Sequence, residues 1–283
     1  MTKSRWADGR VPGRVSRVSG RGLRPDGTIA REGALHRVPA AFVPVVDAAR
    51  ARIAEVFGDG RLHSAYLYGS LPRGTAVPGV SDLDLLLALR REPTGADRAD
   101  ADAMQAALDE RFAQVDGVGV LLFSARTLLS DLERHDLGFF VACLCTPLLG
   151  DDLAGRLPRY RPTSLLARET NGDLGRELAG WRERAAGTDA ERRALARLVG
   201  RRLVRTGFTL VMPRWGGWVS DLDGCTEAFG HYHPERLAQM RVAAAVGRAP
   251  RADPAVLALL LDDLGPWLAA EYTAANGEKA PRP

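Results

Sequence analysis

Two aspartates, Asp82 and Asp84, stand two positions apart in a segment, Asp82–Leu89, that is otherwise wholly apolar. A strand projects alternate side chains to one face, so the two carboxylates would sit together, ~6.5–7 Å apart along the chain. Like charges in an apolar ribbon repel and are costly to bury unless a cation neutralises them. Mg²⁺ suits the task, because it takes one or two carboxylates and completes its shell with phosphate oxygens and water. Upstream, Gly69-Ser70 closes the run Leu62–Tyr68. Glycine lets the main chain approach a phosphate closely, and the serine adds a hydroxyl. The chemistry these residues suggest is metal-assisted reaction at a phosphate.

The surrounding pattern predicts the elements that must hold them. Ala40–Phe57 has helical spacing and stops at Gly58-Asp59-Gly60. Leu62–Tyr68 reads as a strand, Gly69 to Ser81 as a turn, and Asp82–Leu89 as a buried strand. A helix over Ala96–Phe112 and a third strand over Val115–Phe123 follow. Beyond Ser124 the expected helices cover Asp131–Cys145, Ser164–Arg184, Asp189–Met212, Asp221–Phe229, Pro234–Val246 and Pro254–Ala274, with Gly265-Pro266 breaking the last.

Eleven residues separate Gly69-Ser70 from Asp82-x-Asp84, and this string from Tyr68 to Leu86 resembles the nucleotidyltransferase superfamily that includes DNA polymerase β. Its short form looks most like the minimal-nucleotidyltransferase and aminoglycoside-adenylyltransferase branches. The order of elements extends the match to about residues 38–124. The resemblance implies an α+β fold: an N-terminal nucleotidyltransferase α/β domain, a small mixed sheet with flanking helices, followed by an all-α C-terminal domain. The expected division is a basic arm (1–37), the nucleotidyltransferase domain (38–130), a helical acceptor- and nucleotide-binding domain (131–275) and a flexible tail (276–283). It further implies that Gly69 and Ser70 grip a triphosphate, with Arg73 near the phosphates. Asp82 and Asp84 would bind Mg²⁺, two ions in all, with Mn²⁺ an acceptable substitute.

The family pattern also expects a third carboxylate on the next strand. Here that strand reads Val115-Asp-Gly-Val-Gly-Val-Leu-Leu-Phe123, and Asp116 is its only acid. Asp116 either completes the metal site or deprotonates the acceptor hydroxyl, or else belongs to a plain Asp-Gly turn. Similar enzymes reach the triphosphate with a basic residue of the helical domain. Arg197, Arg201, Arg202 and Arg205 fall at helical spacing, and Arg201 and Arg205 share a face. Arg202 or Arg205 is the expected phosphate ligand; the alternative is a solvated helix face. Ser220-Asp-Leu-Asp-Gly224 resembles a phosphatase turn but has Cys225 where threonine belongs, so a helix cap at Ser220 explains it better. Cys143-x-Cys145 suits a core, and Trp215 and Trp218 suit either core packing or ring stacking.

The chain of 283 residues is long enough for two domains with cores of their own. Three cysteines are a reduced pattern, and no apolar run approaches the ~20 residues that span a bilayer, so a cytoplasmic location without membrane contact is expected. No leader pattern opens the chain. Of 39 basic residues only Lys3 and Lys279 are lysines, which disfavours any lysyl-covalent mechanism. Walker and Gly-x-Gly-x-x-Gly loops are absent.

Residues 1–37 carry nine Lys/Arg against three acids, a solvated tail or a polyanion-contacting arm. The expected reaction moves a nucleoside monophosphate, AMP first, from a nucleoside triphosphate to a hydroxyl of a small molecule, releasing pyrophosphate. A small molecule is favoured over RNA as acceptor. Because the second half is net basic, a cationic aminoglycoside is not favoured. The alternatives are a transferase acting on tRNA or protein, of toxin type, and a non-catalytic, antitoxin-like nucleotide-binding protein.

Overall fold

Leu62–Tyr68, bracketed by a helix stop and Gly69, forms strand β1. It pairs antiparallel with β2 (Leu83–Leu89) on one side. On its other side it pairs antiparallel with β4 (Thr146–Gly150). β2 runs parallel to β3 (Val118–Ser124), which completes a four-stranded sheet of order β3-β2-β1-β4. The computed structural model that shows this describes residues 21–184 and 187–282. Parallel strands need a crossover, and α3 (Gly95–Arg111) supplies it, entered through a Thr94–Asp97 capping box. Leu83, Leu85 and Leu87 pack with α1 (Val43–Arg61) and α3 in one core. The alternate positions Leu86 and Ala88, with Tyr66, pack in a second, smaller core. Period two therefore puts Asp84 and Tyr68 on this second side. Between β1 and β2 lies one short helix, α2 (Ser70–Arg73).

Past β3 come α4 (Ala125–Leu128) and α5 (Leu137–Phe139), the latter running into a π turn over Phe140–Leu144. The helical half comprises α6 (Ser164–Asn171), α7 (Leu174–Glu183), α8 (Asp189–Trp215), α9 (Leu222–Tyr232), α10 (Leu237–Arg248), α11 (Pro254–Ala258) and α12 (Gly265–Asn276). Its axis is α8, capped by Thr188 and Glu191 and ended at Gly216 in the left-handed region. Leu203, Val204, Phe208 and Val211 of α8 are buried in the largest core.

Several expectations are corrected. The helix foreseen over Asp131–Cys145 is a set of turns, a single helical turn and the π turn, and the next five residues are strand β4. The sheet thus draws on chain beyond residue 131, where the helical half was expected to begin. Gly265-Pro266 does not break the last helix. A π turn over Leu259–Leu264 joins α11 to α12, and Pro266 is carried at the second position of α12, next to that irregular turn. Of the expected arm, residues 1–20 lie outside the described residues. Residues 21–37 pack onto the body instead: Ile29 is fully buried in the helical core, and Arg31 pairs with Asp152 at 2.8 Å. The expected flexible tail is also tied down. Lys279 bonds Asp136 at 2.5 Å and Asp173 at 3.3 Å, and Arg282 bonds Glu133 at 2.9 Å. Among the described residues no helix is long and apolar enough to cross a membrane.

Candidate active site

The turn after β1 is built around a position that only glycine tolerates. Gly69 has φ +80°, ψ −148°, and a Cβ there would stand 2.3 Å from an Asp84 carboxylate oxygen. Backbone and carboxylate are thereby brought into direct apposition. Gly69→Ala should lower kcat/KM by at least about tenfold, since it adds strain of about 1–3 kcal/mol and pushes Asp84 aside; steady-state kinetics and a melting curve check both effects. Ser70 opens α2, and its hydroxyl makes no hydrogen bond among the described residues.

Across the sheet, Asp84 pairs with Tyr68 on β1 and with Gly119 on β3. Gly119 is the position where a third acid of the strand would face it; a Cβ there would be 3.7 Å from Asp84. Burial, and next the neighbouring Asp82, raise the Asp84 carboxyl from 3.8 to about 6. No hydrogen bond or ion pair ends on Asp84 among the described residues. Burial, reinforced by Asp84, likewise pushes the Tyr68 phenol far upward.

Facing these carboxylates is one column of α8. Arg197, Arg201 and Arg205 are four residues apart and share a helix face. Arg197 reaches Asp82 at 3.7 Å and Asp116 at 4.0 Å. Arg201 donates through Nε to the Gly247 carbonyl at 2.8 Å. Its pKa is lowered by burial and then by Arg197 and Arg205, against the opposing pull of Asp82 and Asp84. Arg205 has the most telling surroundings. Protein atoms crowd round it so closely that desolvation lowers its pKa, with Arg73 and Asp84 among its charged neighbours, yet its side chain remains exposed to solvent. Arg205 is thus a crowded guanidinium that solvent still reaches, on the face of α8 turned to the carboxylates. Among the described residues its guanidinium has neither hydrogen-bond nor ion-pair partner.

The other expected residues divide. Asp82, Asp84 and Asp116 are brought to the same cleft, but Asp116 is exposed, precedes β3 and is linked to Asp82 through Arg197. Among the described residues no group of three or more Asp, Glu, His or Cys side chains is arranged to hold a metal ion. Arg202 is not at the cleft. A rotation of about 100° per residue turns it away from Arg201, and it pairs with Asp173, which also binds Lys279.

Arg73 is held from outside the expected motif. It donates to Ser220 Oγ at 2.5 Å and lies 3.7 Å from the Glu32 carboxylate. Glu32 in turn accepts from Trp218 Nε1 at 2.6 Å and Ser220 Oγ at 2.7 Å. Sequence reasoning missed Glu32, because it fell in the expected arm. Ser220 serves this clasp, while Asp221 caps α9 one position later than foreseen. Trp218 is core, in edge contact with Phe139 and Phe208. The three cysteines are free and buried, and burial raises their pKa values, so they are inert.

A small mixed sheet carrying the Gly-Ser turn and the Asp-x-Asp strand is faced by a helical half. A solved structure with this fold is the crystal structure of spectinomycin adenyltransferase AAD(9) from Enterococcus faecialis with ATP and spectinomycin. The similarity has a TM-score of 0.54 at 13% identity and covers 81% of this chain and 98% of that one. No family model matches the chain, and no curated protein matches its sequence. The relationship is one of fold.

Proposed function

We propose that the chain is a Mg²⁺-dependent nucleotidyltransferase that moves AMP from ATP to a hydroxyl of a small molecule and releases pyrophosphate. One observation carries the reading: an unpaired carboxylate, Asp84, and an unpaired guanidinium, Arg205, are both held in one cleft without pairing to each other. Leaving opposite charges open in this way is costly in the free protein and useful only to a ligand that answers both.

The donor set fits the metal. Asp82 and Asp84 offer hard carboxylate oxygens, and Asp84, whose charged form is disfavoured first by burial and then by Asp82, is a carboxylate that a divalent cation would stabilise. Two carboxylates suffice for Mg²⁺, whose remaining ligands are phosphate oxygens and water. Bound there, the ion offsets phosphate charge and lowers the acceptor hydroxyl's pKa.

The chain's own residues do the rest. The Gly69 turn and the Ser70 hydroxyl seat the triphosphate, and Arg205, with Arg73 beside it, draws the β,γ-phosphates to the cleft floor. The acceptor oxygen bonds to the α-phosphorus as the bond from that phosphorus to the bridging oxygen of the β-phosphate breaks. The electron pair leaves with pyrophosphate, and the acceptor proton passes to the exposed Asp116 carboxylate. Catalysis is then positioning and charge stabilisation, with no covalent enzyme intermediate.

One feature favours a small acceptor: the likeness in fold to an enzyme solved with ATP and spectinomycin. The arginine column on α8 argues against a strongly cationic one. Incubation with labelled ATP, Mg²⁺ and either a metabolite extract or total RNA tests the acceptor class. Label in small molecules is expected. Label in RNA overturns the acceptor class, and ATP binding with no transfer overturns the enzyme.

Glu32 enters here as a positioning residue for Arg73. Glu32→Gln should raise KM for ATP about fivefold, with kcat and melting temperature nearly unchanged, for a loss of about 1 kcal/mol. A fall in kcat with constant KM would place Glu32 in the chemical step instead.

A further inference from the structure

At the end of the sheet remote from Asp84, four positively chargeable side chains from four separate segments line one open cavity of about 590 Å³. His63 stands at the start of β1, Arg90 follows β2, Arg126 lies on α4, and Arg156 closes the turn after β4. His63 and Tyr68 occupy opposite ends of β1, which puts this cavity about 17 Å from the catalytic cleft at ~3.3 Å per residue. It is a separate place on the molecule.

The charge there is not cancelled. Arg156 has no side-chain partner among the described residues. Arg90 uses only Nε, on the Asp59 carbonyl at 2.9 Å, leaving both terminal nitrogens unspent. Arg126 touches Glu92 at 3.5 Å while 86% exposed, and that carboxylate already accepts from Ser124 and Thr127. The one acid in the lining, Asp131, is taken by Arg134. Burial, then Arg90 and to a smaller degree Arg156, depress the His63 imidazole pKa, with Asp151 opposing them. Like charges gathered in a concavity focus a positive potential that an anion relieves.

We propose that this cavity binds a phosphate dianion, free or as the head of a small phosphomonoester, at a second site distinct from the nucleotide cleft. Guanidinium forks match phosphate oxygens in geometry, and the imidazole adds a donor once protonated. The volume falls within the ~300–1,000 Å³ typical of small-molecule sites, more than a bare phosphate requires.

The test follows the His63 ring by NMR, assigned with His63→Gln, while the full-length protein is titrated with inorganic phosphate and, separately, with ribose 5-phosphate. A bound dianion stabilises the imidazolium, so the His63 pKa should rise by about one unit at saturation. Arg90→Ala/Arg156→Ala should weaken binding at least about tenfold. Tighter binding of ribose 5-phosphate assigns a phosphomonoester, and equal binding assigns free phosphate. An unmoved His63 pKa, equal affinity in the double variant, or binding lost on Arg205→Ala (which would place the anion in the cleft) overturns the proposal. The wild-type titration decides the matter alone should the double variant not fold. None of this depends on nucleotidyl transfer.

Discussion

Asp84→Asn should cut kcat for nucleotidyl transfer by at least about 10³, a loss of about 4 kcal/mol, and should stabilise the nucleotide-free protein at pH 8. The two effects share one cause. Asp84 is held where its charged form is disfavoured, first by burial and then by Asp82, so its carboxyl titrates at about 6 and not at its ordinary 3.8. A native pKa above the unfolded value means that the folded chain binds the proton more tightly. Its stability contribution is therefore fully present below the unfolded pKa and lost as pH rises through about 6. Above that pH the ionised group costs up to about 3 kcal/mol, which a neutral isostere recovers. Asp82→Asn should abolish turnover similarly but stabilise less, because Arg197 lies 3.7 Å from the Asp82 carboxylate. Melting curves of both variants at pH 5 and pH 8 check the sign: the Asp84→Asn gain should appear at pH 8 and shrink at pH 5. Near-wild-type turnover in both variants would remove the metal role.

Arg205→Ala should lower kcat/KM for ATP by about 10²–10³ with little loss of stability, whereas Arg202→Ala should do the reverse. Three positions on one helix separate these residues, yet their partners differ entirely. Arg205 has no hydrogen-bond or ion-pair partner among the described residues, so its removal breaks no polar contact in the free protein. Arg202 is tied to Asp173, which with Lys279 fastens the C-terminal segment to the helical core. Removing one member of a partly buried charge network costs stability on the order of 1–3 kcal/mol. Kinetics and melting temperatures of the two variants, taken together, decide which face of α8 meets the substrate. Equal catalytic losses would contradict the assignment.

The heart of this fold was legible because local chemistry dictated it. β1 has the bounds Leu62–Tyr68 that its apolar run and flanking glycines predict, and the Gly69 turn lies directly against Asp84. What stayed hidden was non-local. The apolar run from Leu137 to Leu149 has no period that separates helix from strand, and Pro147 argued against a strand. It is tolerated because β4 is an edge. Residues 21–37 looked like an arm because so few of them are apolar. Their order comes from partners far along the chain: Ile29 in the helical core, and Glu32 on Trp218 and Ser220. Helical spacing showed that Arg201 and Arg205 share a face, but not that this face, rather than that of Arg202, fronts the sheet. Asp116 lies in the bend before β3, 4.0 Å from Arg197.

The most direct test of nucleotidyl transfer compares two labels. Purified protein, Mg²⁺ and a metabolite extract are incubated with ATP labelled at either the α- or the γ-phosphate, and the products are separated. The mechanism places α-label on the acceptor and γ-label in pyrophosphate, with both signals lost in Asp84→Asn. Label from the γ-phosphate on the acceptor, or α-label remaining wholly in ATP, would contradict it.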